Sequence, residues 1–304
     1  MKFTRNLKRY MTGDDVREVK DWLFEHGFYE TKIKKITNNR YGNDTYKAVK
    51  VFQDMYHLVV DGITGKNTIA KMNELMLPKE PYITEYVSAT DYPRLSETAR
   101  AAINEALKRV SKERRDIVLE ALKYATDASI AAQFIYPSSL YIRGGNLYNT
   151  DGKLNAITES YLTGAYKKKY ASYCTSGRLE MMISAVNYFL GIGEKITGAD
   201  CSGGIIGILR HFGYISMTTD TTANGLCGSG YSTVIKKEDL SAGDFIGRNG
   251  HICLYAGGGY MVEWAGGAYG CQLTHMDNHR CWSFTKNKYV KQTACTKYRR
   301  PKMY

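Results

Sequence analysis

The sequence predicts an α+β protein in two parts: a small three-helix domain, then a larger domain in which helices precede clustered strands. Three observations predict it. Apolar residues recur at helical spacing through the first 77 residues. A proline-bearing stretch then breaks the pattern. Beyond it, amphipathic helical runs give way after residue 240 to short alternating segments split by glycine turns, the order of helices laid on an antiparallel sheet. The predicted division is 1–77 for the helical domain, 78–95 for a linker and 96–304 for the α+β domain.

The chain has 304 residues, room for two cores, and a hydrophobic content of 43%, which excludes a disordered chain. Its net charge of +12 favours polyanions: nucleic acid, an acidic membrane surface or an anionic wall polymer. No nucleic-acid motif is present. No run approaches the ~18 apolar residues of a membrane span. The segment Met1-Lys2-Phe3-Thr4-Arg5-Asn6-Leu7-Lys8 lacks the apolar stretch of a signal peptide, so synthesis and retention in a cytoplasm are expected. Six of the seven cysteines lie at or after Cys201, and the odd count fits reduced thiols better than a disulfide scaffold.

In the first domain, Val16, Val19 and Leu23 share a helix face, with Gly13-Asp14 as turn and N-cap and His26-Gly27 as the stop. A second helix runs from about Asp44 to Gln53 and a third from about Asn67 to Met72. Each is preceded by a glycine three residues before a threonine, Gly42/Thr45 and Gly65/Thr68, with the polar residues expected to cap the helix amides. Asp15-Val16, Trp22-Leu23, Gly27-Phe28, Tyr41-Gly42-x-x-Thr45, Ala48-Val49-x-x-Phe52-Gln53, Leu58 and Asp61-Gly62-Ile63-x-Gly65-x-x-Thr68 follow in order. That order resembles the three-helix peptidoglycan-binding domain of wall hydrolases, over most of residues 10–75. The resemblance implies that bacterial peptidoglycan is the partner.

Pro78, Pro81 and Pro93 mark the linker. Ser96 is the expected cap of a helix from Glu97 to about Val110; a second helix spans Glu113 to about Asp127 and a third about Arg178–Leu190, whose Met and aromatic residues read as core. Gly198-Ala199-Asp200-Cys201-Ser202-Gly203-Gly204 opens an apolar helix that ends near Gly213. A loop rich in Thr, Gly and Ser follows, from Thr218 to Gly230. Leu240-Ser241-Ala242-Gly243-Asp244-Phe245-Ile246 turns into a strand. Next come a strand from His251 to Tyr255, the turn Gly257-Gly258-Gly259 and a strand through Glu263; the last strand is expected from Lys288 to about Thr293.

Cys201 at a helix start, His251 on a strand and Glu263 across a hairpin form a set suited to thiol catalysis. The positive end of a helix stabilises a thiolate, a histidine moves the proton, and a third group holds the ring. Each residue alone reads more simply, as a buried thiol, a strand histidine and a strand charge; the case rests on order and spacing. Cys271-x3-His275-x3-His279-x-Cys281 has ligand types that suit zinc but no common zinc spacing. A polar loop with partly buried thiols is the preferred reading, and no metal or cofactor is expected.

Asp200-Cys201-Ser202-Gly203, Ala242-Gly243-Asp244, His251-x-x-x-Tyr255-x-Gly257-x-Gly259 and Tyr141-x-x-Gly144-Gly145 together resemble the NlpC-type cell-wall cysteine peptidases, over about 140–295. The resemblance implies a reduced papain-like fold, a cysteine helix packed on an antiparallel sheet, here with extra helices. It implies Cys201 as nucleophile, His251 as base and Glu263 as the third member, where the family usually has histidine, asparagine or glutamine. Asp200, Ser202 and Tyr141 would contact substrate or shape its pocket, although an unusually long insert separates Tyr141 from Cys201. The implied activity is cleavage of a stem-peptide amide, between D-glutamate and a diamino acid, by a phage endolysin held in the host cytoplasm until lysis. An N-acetylmuramoyl-L-alanine amidase using the same cysteine, or a non-catalytic wall-binding protein, are the alternatives.

Overall fold

The computed structural model describes residues 5–29, 36–76, 85–175 and 177–304. The chain divides into two compact units, residues 1–84 and 85–304. In the first, α1 (Asp14–Glu25), α2 (Asn43–Met55) and α3 (Lys66–Met76) enclose Val16, Val19, Leu23, Val49, Phe52 and Met72, all fully buried. Burial of such side chains contributes roughly 1.5–3 kcal/mol each. Helix α1 stops as its glycine requires: Gly27 takes φ +76°, Gly27 N bonds Phe24 O, and Phe28 N bonds Leu23 O, a Schellman closure. At the other end Gly13, not Asp14, occupies the N-cap, with no side-chain cap. Thr45 and Thr68 do not cap their helices. Both are buried: Thr45 accepts from Tyr29, and Thr68 accepts from the Gln53 amide. Gln53 Nε2 also donates to Asp61 and to Ile63 O, while Gln53 Oε1 accepts from Gly62 N. One buried amide therefore ties α2 to the turn before α3, which is why Phe52-Gln53 and Asp61-Gly62 occur together.

Of the stretch read as a linker, 78–84 lies outside the described residues. Residues 85–95 belong to the second unit, where Val87, Tyr92 and Leu95 are buried in its core. Then α4 (Glu97–Leu107) is capped by Ser96, whose hydroxyl accepts from Ala99 N, and α5 (Lys112–Leu122) follows. Helix α5 ends five residues short of Asp127, because Thr126–Asp127 is strand β1, paired in parallel with strand β8 (Cys271–His275).

Strand β2 (Ser139–Tyr141) pairs in parallel with β3 (Thr197–Ala199). The excursion between them carries a helical stretch over 159–169 and the helix α6 (Arg178–Gly191). These surround their own core of Leu140, Ile142, Leu162, Tyr166, Met182 and Val186. Strand β3 leads directly into α7 (Cys201–His211).

The main sheet has seven strands in the order β1-β8-β7-β6-β5-β11-β4, antiparallel apart from β1 with β8. Its other members are β4 (Ser232–Val234), β5 (Phe245–Arg248), β6 (His251–Gly257), β7 (Tyr260–Trp264) and β11 (Lys297–Pro301). Strands β9 (Arg280–Ser283) and β10 (Lys288–Lys291) form a separate hairpin. The expectation that the chain's last strand lies at 288–293 is thus corrected: β11 fills the sheet between β5 and β4. Helices α4, α5 and α7 cover one face, where Ile252, Leu254, Val262, Trp264 and Leu273 are buried. The other face holds Ile246, Cys253, Met261 and Cys295.

A close approach fixes where α7 begins. A Cβ on Gly203 would collide with Gly145 O and crowd Asn146 Oδ1, because Leu147 N bonds Gly203 O and Asp200 N bonds Gly145 O. Gly203→Ala is expected to cost about 1–3 kcal/mol through overpacking and to displace the helix start. Thermal denaturation checks it; a melting temperature equal to wild type would refute the packing argument.

Candidate active site

Cys201 is the first residue of α7 and is buried, 7% exposed. Asp200 is the N-cap. Its Oδ1 accepts from Gly203 N at 2.7 Å and from Ser202 Oγ at 3.0 Å, and its Oδ2 accepts from Gly144 N at 2.9 Å. Both carboxylate oxygens are therefore committed to holding the cysteine turn. The Cys201 amide is one of the first-turn donors that a helix leaves without an internal acceptor. Cys201 Sγ lies 3.9 Å from Gly250 O, in the tight turn joining β5 to β6. Asn224 braces that turn, accepting from Gly250 N and donating to Asn249 Oδ1.

The next residue is His251. Its Nε2 lies 2.6 Å from Glu263 Oε2, and the ring and carboxylate are both buried. Burial opposes charge on the ring, but hydrogen bonds and charges from Cys201 and Glu263 outweigh it and push the imidazole up to about 10. The structure thus brings Cys201, His251 and Glu263 into one linked group. Alternation on β6 and β7 gives Glu263 its direction: Val262 and Trp264 face the helices, so Glu263 faces away.

Glu263 has further partners that sequence reasoning missed. Its Oε1 accepts from Thr274 Oγ1 and faces His279 Nε2, each at 2.6 Å. Burial would raise this carboxyl, yet the two histidines hold it well below the usual carboxylate range. His279 Nδ1 faces Thr293 O at 3.0 Å. Both ring nitrogens of His279 thus face oxygens; burial opposes charge on the ring, but the hydrogen bond to Glu263 and its charge outweigh it and raise the ring's proton affinity. The four residues considered for zinc do not converge. His279 is bound to Glu263, whereas His275 stacks edge-on against Tyr260 and accepts from Asp277 N. Cys271 and Cys281 are fully buried strand residues, not loop residues. Among the described residues, the His/Cys/Asp/Glu group with metal-binding spacing is His251, Cys253 and Cys295.

Tyr141 stands beside the cysteine, its phenol pushed up by burial, by Cys201 and by Tyr173. Tyr173 comes from the excursion between β2 and β3, with ring centres 5.8 Å apart. Its hydroxyl accepts from Gly267 N at 2.6 Å, and the guanidinium groups of Arg178 and Arg143 lie 4.9 and 5.9 Å from its ring. The insert therefore supplies a wall of the site. No motif announced Tyr173; its signal is only the tyrosine density of the excursion. In the first unit, a groove of about 460 Å³ is lined by Asn6, Gln53, His57, Asp61, Lys66 and Asn67.

Residues 12–72 match the family described as "Putative peptidoglycan binding domain". The spore cortex-lytic enzyme of Bacillus subtilis (strain 168) is 40% identical over 82 residues, 27% of this chain and 24% of that protein. A solved structure, the crystal structure of Burkholderia AP3 phage endolysin, matches at 20% identity and a TM-score of 0.21, over 56% of this chain and 52% of that one. The chain spans about a quarter of the curated relative and about half of the endolysin. Among the described residues, no helix is long and apolar enough to cross a membrane.

Proposed function

We propose that this chain is a peptidoglycan hydrolase that grips the wall with its first unit and cuts a stem-peptide amide with Cys201. One observation carries the reading: a cysteine at a helix N-terminus lies against an imidazole whose far nitrogen is gripped by a buried carboxylate. The match of residues 12–72 to a peptidoglycan-binding family supports the wall as target, and the groove beside Gln53 and Lys66 offers polar side chains to it. The finer reading is a papain-like endopeptidase of the endolysin kind, acting between D-glutamate and a diamino acid once it leaves the host cytoplasm.

The chemistry follows from the geometry. His251 as imidazolium and the positive end of α7 stabilise the Cys201 thiolate. The sulfur attacks the amide carbonyl carbon and forms a C–S bond. The Cys201 amide donates to the oxyanion. His251 passes the proton of its cysteine-facing nitrogen to the leaving amine as the C–N bond breaks. Water then gives a proton to His251 and its hydroxyl to the acyl carbon; the C–S bond breaks, and acid product, thiolate and imidazolium result. Glu263 keeps Nε2 protonated and the ring oriented throughout. Asp200 and Ser202 shape the pocket by fixing the cysteine turn, and Tyr141 meets the substrate.

Mass spectrometry of purified wall, digested under reducing conditions with chelator, tests the reading. A new amine on the diamino acid is expected. A free lactyl group would assign an amidase instead, and no new ends would overturn hydrolysis altogether. Glu263→Gln should lower kcat/KM by about 10²–10⁴-fold, the range for losing the group that orients a catalytic histidine. An unchanged kcat/KM in a folded Glu263→Gln protein would remove Glu263 from the mechanism.

A further inference from the structure

Two buried thiols adjoin the His251–Glu263 pair and take no part in the reaction above. Cys253 lies on β6 and is 0% exposed; Cys295 lies between β10 and β11 and is 8% exposed. Both are free thiols, with sulfurs 3.9 Å apart. Cys253 Sγ is also 3.8 Å from Glu263 Oε2. One ring nitrogen of His251 and the two sulfurs all lie within 4.8 Å of one another. We propose that His251, Cys253 and Cys295 form a binding site for zinc or a similarly soft divalent ion, with Glu263 in reach as fourth ligand, and that metal held there silences His251.

Four arguments support the site. Tetrahedral zinc with Zn–S bonds of about 2.3 Å sets an S–S edge of roughly 3.8 Å, so the two sulfurs already stand at ligand spacing. A disulfide would need them to close to about 2.05 Å. Two thiolates and an imidazole favour zinc over magnesium or calcium, which take oxygen ligands. Cys253 Sγ stands 3.8 Å from Glu263 Oε2, so the fourth ligand is already at a similar spacing. Last, Glu263 is already oriented from behind by Thr274 and His279, as ligands need to be.

Binding is proton exchange, with no oxidant or reductant. Each thiol loses its proton to solvent, the coordinating nitrogen of His251 gives up any proton it holds, and the vacated lone pairs bond the metal. While the metal stays, His251 is withdrawn from Glu263 and from proton transfer. The site stands independently of the proposed hydrolysis; only the silencing rests on it.

The test uses full-length, reduced, metal-stripped protein carrying Cys201→Ser, so that the proposed nucleophile cannot contribute a sulfur ligand. Cobalt titration should give one equivalent with tetrahedral visible bands and thiolate-to-metal absorption. Adding Cys253→Ser or Cys295→Ser should weaken binding at least about 100-fold and diminish the thiolate band. Circular dichroism of the metal-free variants shows whether they fold. Bands that survive both serine substitutions, or cobalt bound with no thiolate absorption, overturn the site. A second measurement reads the silencing: zinc should inhibit wall hydrolysis by the unsubstituted protein at least about tenfold, and the ratio of rates without and with zinc should fall toward one in Cys295→Ser. Equal inhibition of both proteins overturns the silencing. Protein that binds cobalt as described but never hydrolyses wall refutes the proposed reaction, not the site.

Discussion

Cys201→Ala is expected to reduce release of peptide ends from purified wall by on the order of 10⁴-fold or more, the scale on which losing a nucleophile stops a linked catalytic group. The proposed mechanism makes the effect large because it has the residues act as a unit: without the sulfur, Glu263 orients a ring that has nothing to activate. The substitution should leave the fold intact. Alanine keeps the Cβ, the Asp200 cap bonds Gly203 N rather than the sulfur, and the 3.9 Å contact with Gly250 O is too weak to hold the turn. Binding to wall should also persist, since residues 12–72 match the peptidoglycan-binding family without the second unit. A pull-down on purified wall and an end-group assay, run on the same preparation with chelator, separate the two properties. Substantial cleavage by Cys201→Ala would end the thiol mechanism.

Asp244→Ala should destabilise the second unit by about 3–5 kcal/mol, the cost of breaking a buried ion pair from one side. Asp244 belongs to the Ala242-Gly243-Asp244 motif, yet it does not approach Cys201. Its fully buried carboxylate accepts from Arg114 of α5 and from Arg300 of β11, and also from Ser241 N. One carboxylate thereby ties a helix, a turn and the last strand. Arg300 is 39% exposed and can turn to water, whereas Arg114 is 12% exposed and cannot. Arg300→Ala should therefore cost only about 1 kcal/mol, nearer a surface pair. For a unit of this size the Asp244→Ala loss corresponds to a melting-temperature drop on the order of 10 °C. Calorimetry of both variants checks the ordering; Asp244→Ala melting within a degree of wild type would show that the charges only balance their own desolvation.

Legibility in the sequence followed locality. The strands β5, β6 and β7 were readable because each is a short run rich in apolar and β-forming residues and glycines punctuate their turns. The resemblance put the third position twelve residues after His251, at Glu263 across the hairpin, and the structure links the two. β11 was not readable. Lys297-Tyr298-Arg299-Arg300-Pro301 has no apolar alternation; Arg300 pairs with Asp244 and Arg299 donates to Ser232, residues more than fifty positions away. β1 was hidden for a related reason, since Thr126 and Asp127 continue an acceptable helix until the sheet edge offers a partner. His279 stood out in sequence beside the wrong company: its neighbours in the chain suggested a metal, while its partner in space is a carboxylate on β7.

The excursion between β2 and β3 leaves and re-enters the fold on adjacent strands, with Tyr141 opposite Ala199. It also encloses an apolar interior separate from the one under the main sheet. A segment anchored and cored in this way behaves as an exchangeable cassette. Under the proposed reading, the wall it lends the site through Tyr173 can change while β6 and β7, which carry His251 and Glu263 and lie outside it, keep their place in the main sheet.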